Sequence, residues 1–268
     1  MRARLLGVAG WAALAVVVLL LLAVAAPDLL APGDPDATDV TASLHPPGWG
    51  HPLGTDELGR DVWTRVVHGA RSSLGVGLVA TTIGVAIALV LGLAAGLGPR
   101  WLSTVVARIV EILYAFPTLV LALLLVAVRG PGLAASVLAV GIATAPGYAR
   151  ILRARVRGVA VSGYVTAARL EGAGWWRRLT RHVLPNTLWP LVVVVTLGIG
   201  QAVVWVAGLG FLGLGALPPA AEWGAMLNAG RVYLTTAWWL SVGPGLAITV
   251  TAAALTVLGR ALGRVSPS

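Results

Sequence analysis

The chain has 268 residues, of which 58% are hydrophobic and 11% are charged, and its mean hydropathy is +0.89. This composition excludes an ordinary water-soluble domain, in which about half of the residues are apolar. All 19 basic residues are arginine, so the chain contains no P-loop, whose lysine must reach the nucleotide phosphates. The absence of cysteine also excludes a disulfide framework and thiolate metal sites.

Apolar runs long enough to cross a bilayer recur along the chain. A helix of about 20 residues spans a hydrocarbon core about 30 Å thick. The runs are continuously apolar rather than alternating, which argues against a β-barrel. We therefore predict an all-α polytopic membrane bundle of about six transmembrane helices. The predicted spans are 5–26, 74–98, 106–128, 132–149, 188–209 and 239–259.

The first run follows Arg2 and Arg4 and ends in AVAAP, which resembles a signal-peptidase site. Its apolar stretch is too long for a usual signal peptide, so the sequence favours an uncleaved anchor. The predicted organisation is an anchor helix, an external segment, a transmembrane domain with a long cytoplasmic connection, and a cytoplasmic tail, at residues 1–26, 27–70, 71–260 (connection 150–187) and 261–268.

The distribution of arginine predicts the orientation. With a cytoplasmic N-terminus and six spans, the inside holds Arg2, Arg4, Arg100, Arg108, Arg150, Arg153, Arg155, Arg157, Arg169, Arg177, Arg178, Arg181, Arg260 and Arg264. The outside holds only Arg60, Arg65, Arg71, Arg129 and Arg231. This bias follows the positive-inside rule and places both termini in the cytoplasm. The pI near 11.4 is then mainly topogenic, and nucleic-acid binding is not expected.

The basic connection allows two interpretations. One face of a helix starting at Gly174 is apolar and the opposite face is basic, with Trp175, Trp176, Leu179 and Val183 on the first and Arg177, Arg178 and Arg181 on the second. Leu184-Pro185 is expected to end this helix, and Asn186 to cap the next span. The segment can lie at the lipid headgroups, or it can dock into a protein groove, because its small residues permit close approach. The residues alone leave both open.

Polar and helix-breaking residues mark the predicted spans. Glu111 follows Arg108 by one helical turn, which favours a structural or gating ion pair over a proton relay. Pro117, Pro146 and Pro244-Gly245 interrupt spans three, four and six. They are candidate hinges near a translocation path, with simple packing kinks as the alternative.

Two further motifs suggest ligand sites but have simpler interpretations. Residues 208–213 fit G-x-G-x-x-G without a strand–helix–strand context, so close helix packing or a flexible outer gate is favoured over nucleotide binding. The histidines and acids of the external segment lack tight metal-ligand spacing, and Asp56, Arg60 and Asp61 are expected at a helix end and in salt bridges. We predict no catalytic, cofactor or metal site in this chain.

The segment YVTAARLEGAGWWRRLTRHVLPN (164–186) resembles the cytoplasmic loop of binding-protein-dependent ABC importer permeases. In that loop E-A-A is followed by three residues, G, nine residues and I-x-L-P. Here Ala167, Ala168, Gly172, Leu184 and Pro185 match, whereas Thr166 stands in place of Glu and His182 in place of Ile. The resemblance implies a coupling helix that docks on an ATPase subunit through Thr166, Ala167, Ala168, Arg169, Gly172, Ala173, Leu184 and Pro185.

Other segments are similar to the peptide branch of that family, the DppC/OppC type. They are HPLGTDELGRDVWTRVVHGARSSL (51–74), Arg108 and Glu111 with Ala115-Phe116-Pro117, PPAAEWGAML (218–227) and WWLSVGPGLAI (238–248). Near the C-terminus, Thr256 and Arg260 depart from the Asn and Asp that members often carry.

The resemblance implies an ABC importer type I transmembrane domain. Such a chain is a non-catalytic permease that moves dipeptides or oligopeptides into the cell by alternating access. The implied partners are a homologous second permease, two ATPase subunits or one fused ATPase that hold ATP and Mg, an external substrate-binding protein, and the lipid of a bacterial inner membrane. Nickel chelates or glutathione are alternative substrates. A stand-alone secondary carrier is an alternative class, and it predicts midplane acids and an internal repeat.

Overall fold

A computed structural model describes residues 7–188 and 191–265. Arg2, Arg4, the start of the predicted anchor and the end of the predicted tail lie outside these ranges. The helices are α1 (Gly7–Ala25), α2 (Val62–Leu97), α3 (Arg100–Tyr114), α4 (Thr118–Arg129), α5 (Leu133–Ala160), α6 (Gly163–Leu170), α7 (Trp175–Arg178), α8 (Leu184–Leu188), α9 (Leu191–Phe211), α10 (Trp223–Gly230) and α11 (Trp239–Val265). Within the described ranges the β structure is limited to one isolated bridge, so the all-α prediction is confirmed.

Five helices in the described part of the chain are long and apolar enough to cross a membrane: α1, α2, α5, α9 and α11. A sixth span would consist of α3 and α4, which meet at an angle of 94°. The predicted third span at 106–128 is thus broken at Pro117, where the sequence indicated an interruption. Proline lacks an N–H and disfavours the helical conformation of the residue before it, so the chain leaves α3 at Ala115 and starts α4 after Pro117.

Two helices extend well beyond their predicted spans. α2 begins at Val62 instead of residue 74, because Asp61 caps it by accepting a hydrogen bond from the Thr64 N–H at 2.7 Å. Its 36 residues make a helix about 54 Å long, so it projects beyond the hydrocarbon. The predicted boundary between external segment and transmembrane domain, at residue 70, thus lies inside one helix. α5 similarly continues past residue 149 to Ala160.

The bundle is centred on α2, which packs against α5 and α9. Glycines permit this close approach: a Cβ added to Gly84 would lie 2.9 Å from the Gly141 carbonyl oxygen. Further along the same pair of helices, a Cβ added to Gly92 would lie 2.7 Å from the Leu152 Cβ. Small residues at helix contacts are typical of membrane bundles, where close backbone packing supplies much of the attraction.

Residues 27–61, which the sequence predicts to be external, fold back onto the N-terminal end of α2 through ion pairs. The Arg60 Nε lies 2.6 Å from the Asp56 Oδ2, and both side chains are 8% exposed. Arg65 donates to Asp36 at 2.8 Å and to the Pro219 carbonyl at 2.9 Å, which ties three segments together. The expected helix-end and salt-bridge roles are confirmed. No group of three or more His, Cys, Asp or Glu in the described ranges is placed to hold a metal ion.

Candidate functional site

The segment that resembles a coupling loop begins with α6 and a tight C-terminal turn. The Ala173 N–H donates to the Ala168 carbonyl at 3.0 Å, and the Gly172 N–H donates to the Arg169 carbonyl at 3.1 Å. This pair of bonds is a Schellman motif, which requires a left-handed residue just after the helix. Gly172 has a φ of +80°, so glycine is the residue best suited to this position. The A-A-x-x-x-G spacing thus has a local structural cause.

The chain then continues as one helical run from Trp175 to Leu188, which contains a π-helical turn at Leu179–Val183. The prediction that Pro185 ends this helix is wrong. The Leu184 N–H donates to the Leu179 carbonyl in a wider turn that accommodates the proline. Asn186 also differs from its predicted capping role, because its side chain donates to the His182 carbonyl at 2.7 Å, within the same run.

A small apolar cluster attaches this segment to the bundle. Val165 and Val183 are buried against Val156 of α5, with Leu93 and Leu97 of α2 packed beside them. The cluster therefore joins α6 and the π-helical turn to the C-terminal parts of α2 and α5. A displacement of the segment would be transmitted directly to α2 and α5.

The outer face of the segment is exposed and combines apolar with basic side chains. Leu170 is 85% exposed, Trp176 69% and Trp175 56%. The two tryptophans thus do not pack against the bundle, although they were predicted to share an apolar face with Val183, which is buried. Of the other proposed coupling residues, Thr166, Ala167, Arg169, Gly172 and Pro185 are exposed, Ala173 and Leu184 are half-buried, and Ala168 is buried.

The remaining sequence-predicted residues lie on the helices. Arg108 donates to Glu111 at 3.0 Å, and the two side chains are 76% and 58% exposed. Such an exposed pair contributes little to stability. Pro117 stands at the 94° break, whereas Pro146 lies inside α5, and Pro244, followed by Gly245, lies inside α11. The gating and hinge roles stay predictions.

A cavity of about 840 Å³ lies at the break between α3 and α4. It is lined by the break itself, by one face of α5 and by the middle of α9. Its polar side chains include Tyr148 and Arg150 from α5 and Gln201 and Trp205 from α9. Sequence reasoning missed this set, although the single amide of Gln201 within an apolar span is a signal that could have marked it.

Glu222 is a second residue that sequence reasoning passed over. It is 1% exposed, and its carboxylate oxygens accept hydrogen bonds from the Gly224 and Ala225 N–H groups, both at 2.9 Å. The Ser73 hydroxyl donates to the same carboxylate at 3.3 Å. Burial nevertheless raises the pKa of the Glu222 carboxyl, and the hydrogen bonds oppose that rise. Glu222 thus joins α10 to the N-terminal part of α2.

The glycine motif at 208–213 lies at the end of α9. A Cβ added to Gly210 would lie 3.0 Å from the Gly224 backbone, whereas one added to Gly208 would meet only the Leu119 Cδ1 at 4.0 Å. Gly213 has a φ of +81° in the turn after the helix. The motif therefore combines a close contact between α9 and α10 with a turn, which is a packing role.

The chain matches a known protein family and individual known proteins. The family model described as "Binding-protein-dependent transport system inner membrane component" matches residues 88–266. The chain is 43% identical to a di/tripeptide transport system permease protein, DppC, of Pseudomonas aeruginosa, over 87% of this chain and 79% of the relative. It is 41% identical to a probable D,D-dipeptide transport system permease protein of Escherichia coli, over 91% and 82%.

Solved structures agree on the fold. An inward-facing MetNI methionine ABC transporter superposes with a TM-score of 0.60 at 20% identity, covering 76% of this chain and 97% of that chain. The family match extends over most of the chain, and the two relatives exceed 40% identity over nearly all of it. This protein therefore belongs to the family of binding-protein-dependent transport system inner membrane components, and it is a multi-pass membrane protein with the fold of an ABC importer transmembrane domain.

Proposed function

We propose that this chain is the permease subunit of an ABC importer that moves short peptides into a bacterial cell. The observation that carries the proposal is the exposed α6–α8 segment, which is fixed to α2 and α5 and carries the spacing of a coupling loop. The substrate class rests on the relatives, whose names give di/tripeptides and D,D-dipeptides.

The energy for transport comes from partner subunits in this proposal. Two ATPase subunits, or one fused ATPase, bind ATP and Mg, and they contact the exposed face of α6–α8. Closure of the ATPases pulls this segment, and the Val165–Val183 cluster passes the movement to α2 and α5. The bundle then alternates between inward- and outward-facing states. Such a switch requires a partner that binds the two states differently, and here nucleotide-loaded ATPase is that partner.

A homologous second permease completes the passage, and an external binding protein delivers the peptide. The arginine bias supports an orientation with both termini in the cytoplasm of a bacterial inner membrane. The α6–α8 segment then faces the ATPases, and the ion-paired external segment and α10 face the binding protein.

Glutathione is the second candidate substrate, since the chain is 40% identical to a glutathione transport system permease protein of Pectobacterium atrosepticum, over 81% of this chain and 72% of the relative. A stand-alone proton-coupled carrier is less well supported. Within the described residues, the five long helices contain no aspartate or glutamate, and Glu111 is exposed and paired. A proton relay needs acids facing the interior of the bundle.

The test is to purify the chain from its native membrane and to measure uptake by the reconstituted complex. We expect a second permease and P-loop ATPases to co-purify, and ATP-dependent uptake of dipeptides or tripeptides when the binding protein is added. Glutathione uptake without peptide uptake would select the second candidate. A chain that purifies alone and transports without ATP would overturn the ABC assignment.

A further inference from the structure

Two side chains that line the cavity at the α3–α4 break have unsatisfied polar atoms. The Trp205 Nε1 and the Tyr148 hydroxyl are buried polar atoms without a hydrogen-bond partner in the described residues. Both residues line this cavity. Buried donors are normally satisfied, and each unsatisfied one costs about 1–3 kcal/mol. Both atoms are closed off from the cavity itself, and the Tyr148 hydroxyl faces Gly198 of α9. The polar groups that a ligand in the cavity can reach are therefore those of the exposed side chains Gln201 and Arg150.

Gln201 adds an amide at the middle of a transmembrane helix. It is the eleventh of the 21 residues of α9 and is exposed on the cavity side. A polar side chain at this depth is costly in lipid and is normally found facing a bundle interior or a water-filled cavity. The amide both donates and accepts hydrogen bonds, as a peptide backbone does.

Arg150 adds a positive charge at the inner end of the same cavity. It lies six residues, about 9 Å, along α5 from Thr144, which lines the membrane-central part. The arginine–carboxylate pairs within 4.0 Å in the described residues involve Arg60, Arg65 and Arg108. Arg150 instead lies against the Tyr114 ring, with its guanidinium carbon 5.6 Å from the ring centroid. Its fork of N–H donors matches the geometry of a carboxylate.

We propose that this cavity is the part of the peptide passage that this chain lines, and that Arg150 binds the C-terminal carboxylate of the peptide. The Gln201 amide then binds the peptide backbone nearer the membrane centre. The cavity volume lies within the range of small-ligand sites, about 300–1,000 Å³. The identity of the anion rests on the proposed function, whereas the anion preference of the cavity rests on Arg150 itself.

The natural absence of cysteine permits a direct test. Gln201→Cys places one thiol in the cavity, and Val204→Cys places one on the same helix, 41% exposed in the wild type but outside the cavity lining. Both variants are assembled with cysteine-free partner subunits in nanodiscs. They are treated with methanethiosulfonates that carry either a sulfonate or a trimethylammonium group. The unsubstituted chain is the blank.

We expect Gln201→Cys to react faster with the anionic reagent than with the cationic one, by about 3- to 10-fold. Val204→Cys should show no such preference. Adding Arg150→Gln to Gln201→Cys should abolish the preference, whereas adding Arg155→Gln, which removes the same charge outside this cavity, should preserve it. Equal rates for the two reagents, or a preference that survives Arg150→Gln, would overturn the proposal.

Peptide protection then tests the ligand. A tripeptide with a free C-terminal carboxylate should slow labelling of Gln201→Cys during ATP-driven turnover, and the same peptide with an amidated C-terminus should slow it less. Protection by anionic lipid but not by peptide would show a lipid phosphate at Arg150 and overturn the peptide assignment. If the wild-type complex transports no peptide but keeps the anion preference, the proposed function fails and the anion site stands.

Discussion

Glu222 and Glu111 are both acids beside apolar helices, yet they lie in opposite environments. Glu111 is 58% exposed and pairs with Arg108 at the surface, so its loss should change stability little. Glu222 is buried, and it holds the first N–H groups of α10 and the Ser73 hydroxyl of α2. The same functional group thus serves as a surface charge in one place and as an internal helix cap in the other.

The buried acid predicts a specific pH dependence. Because the pKa of Glu222 is raised in the folded state above its ordinary value of 4.5, the folded state holds this proton more tightly than the unfolded state does. The contribution of protonated Glu222 to the free energy of unfolding is then complete below about pH 4.5, and it is lost as the pH rises through the folded pKa. We expect the melting temperature of wild type minus that of Glu222→Gln, measured on the purified complex, to be largest at acid pH and to shrink toward neutrality.

Asp34→Asn, at an exposed acid of the external segment, is the matched control. The melting temperature of wild type minus that of Asp34→Asn should not shrink from acid pH toward neutrality. A wild-type advantage over Glu222→Gln that grew with pH would contradict the prediction. It would mean that the hydrogen bonds to the carboxylate outweigh the cost of its burial.

At the scale of elements, packing decides whether a proline breaks its helix. Pro146 and Pro244 are buried inside α5 and α11, and both helices continue through them. Pro117 is exposed beside a cavity, and there the chain turns by 94° between α3 and α4. Surrounding helices can stabilise the backbone around a proline, whereas a helix with an open side has less to oppose the break.

The contact between α9 and α10 gives a prediction at this scale. Gly210→Ala would place a methyl group 3.0 Å from the Gly224 backbone, and such overpacking costs about 1–3 kcal/mol. Gly208→Ala, two residues earlier in the same motif, meets only one atom, at 4.0 Å. We expect Gly210→Ala to lower the melting temperature of the complex and Gly208→Ala to leave it unchanged or raise it slightly. Equal effects would exclude the packing role of the motif.

At the scale of the whole molecule, the α6–α8 segment separates its internal and external contacts. Its inward face is committed to the cluster with α2 and α5, while its exposed face carries Leu170, Trp175 and Trp176. A Cβ added to Gly172 would meet no atom within 4 Å among the residues that the structure describes. A large side chain there therefore reports on contacts made with a partner.

We expect Gly172→Arg to leave the chain inserted in the membrane but to abolish ATPase association and peptide uptake. The reason is that the arginine side chain would bring bulk and positive charge into the proposed docking contact. The measurement is the amount of ATPase that co-purifies, together with uptake by the reconstituted complex.

Two controls separate a lost docking contact from backbone strain and from the added charge. Gly172→Asn tolerates the left-handed backbone and tests whether strain alone is responsible, and it should retain association. Gly163→Arg adds the same charge at another position where a Cβ meets nothing, outside the spacing of the motif, and should also assemble. Normal association and transport in Gly172→Arg would show that this turn does not contact the ATPase.

The sequence by itself determined the all-α membrane fold and the approximate positions of five long spans, and the glycine at position 172 is enough to explain the turn found there. Each of these depends on local chemistry. A bilayer forces the backbone to satisfy its hydrogen bonds within each helix, so apolar runs can be read directly as spans. The Schellman turn similarly needs only a helix end followed by glycine.

The tertiary structure alone decided the angle at Pro117, the burial of Glu222 and the meeting of Arg150 and Gln201 in one cavity. These two cavity residues stand 51 positions apart on helices α5 and α9. Their proximity depends on how α5 and α9 each pack against α2. Small residues set these contacts, such as Gly84 and Gly141 between α2 and α5 and Gly77 between α2 and α9. Hydropathy records which segments enter the membrane, but it carries no information about which faces meet there.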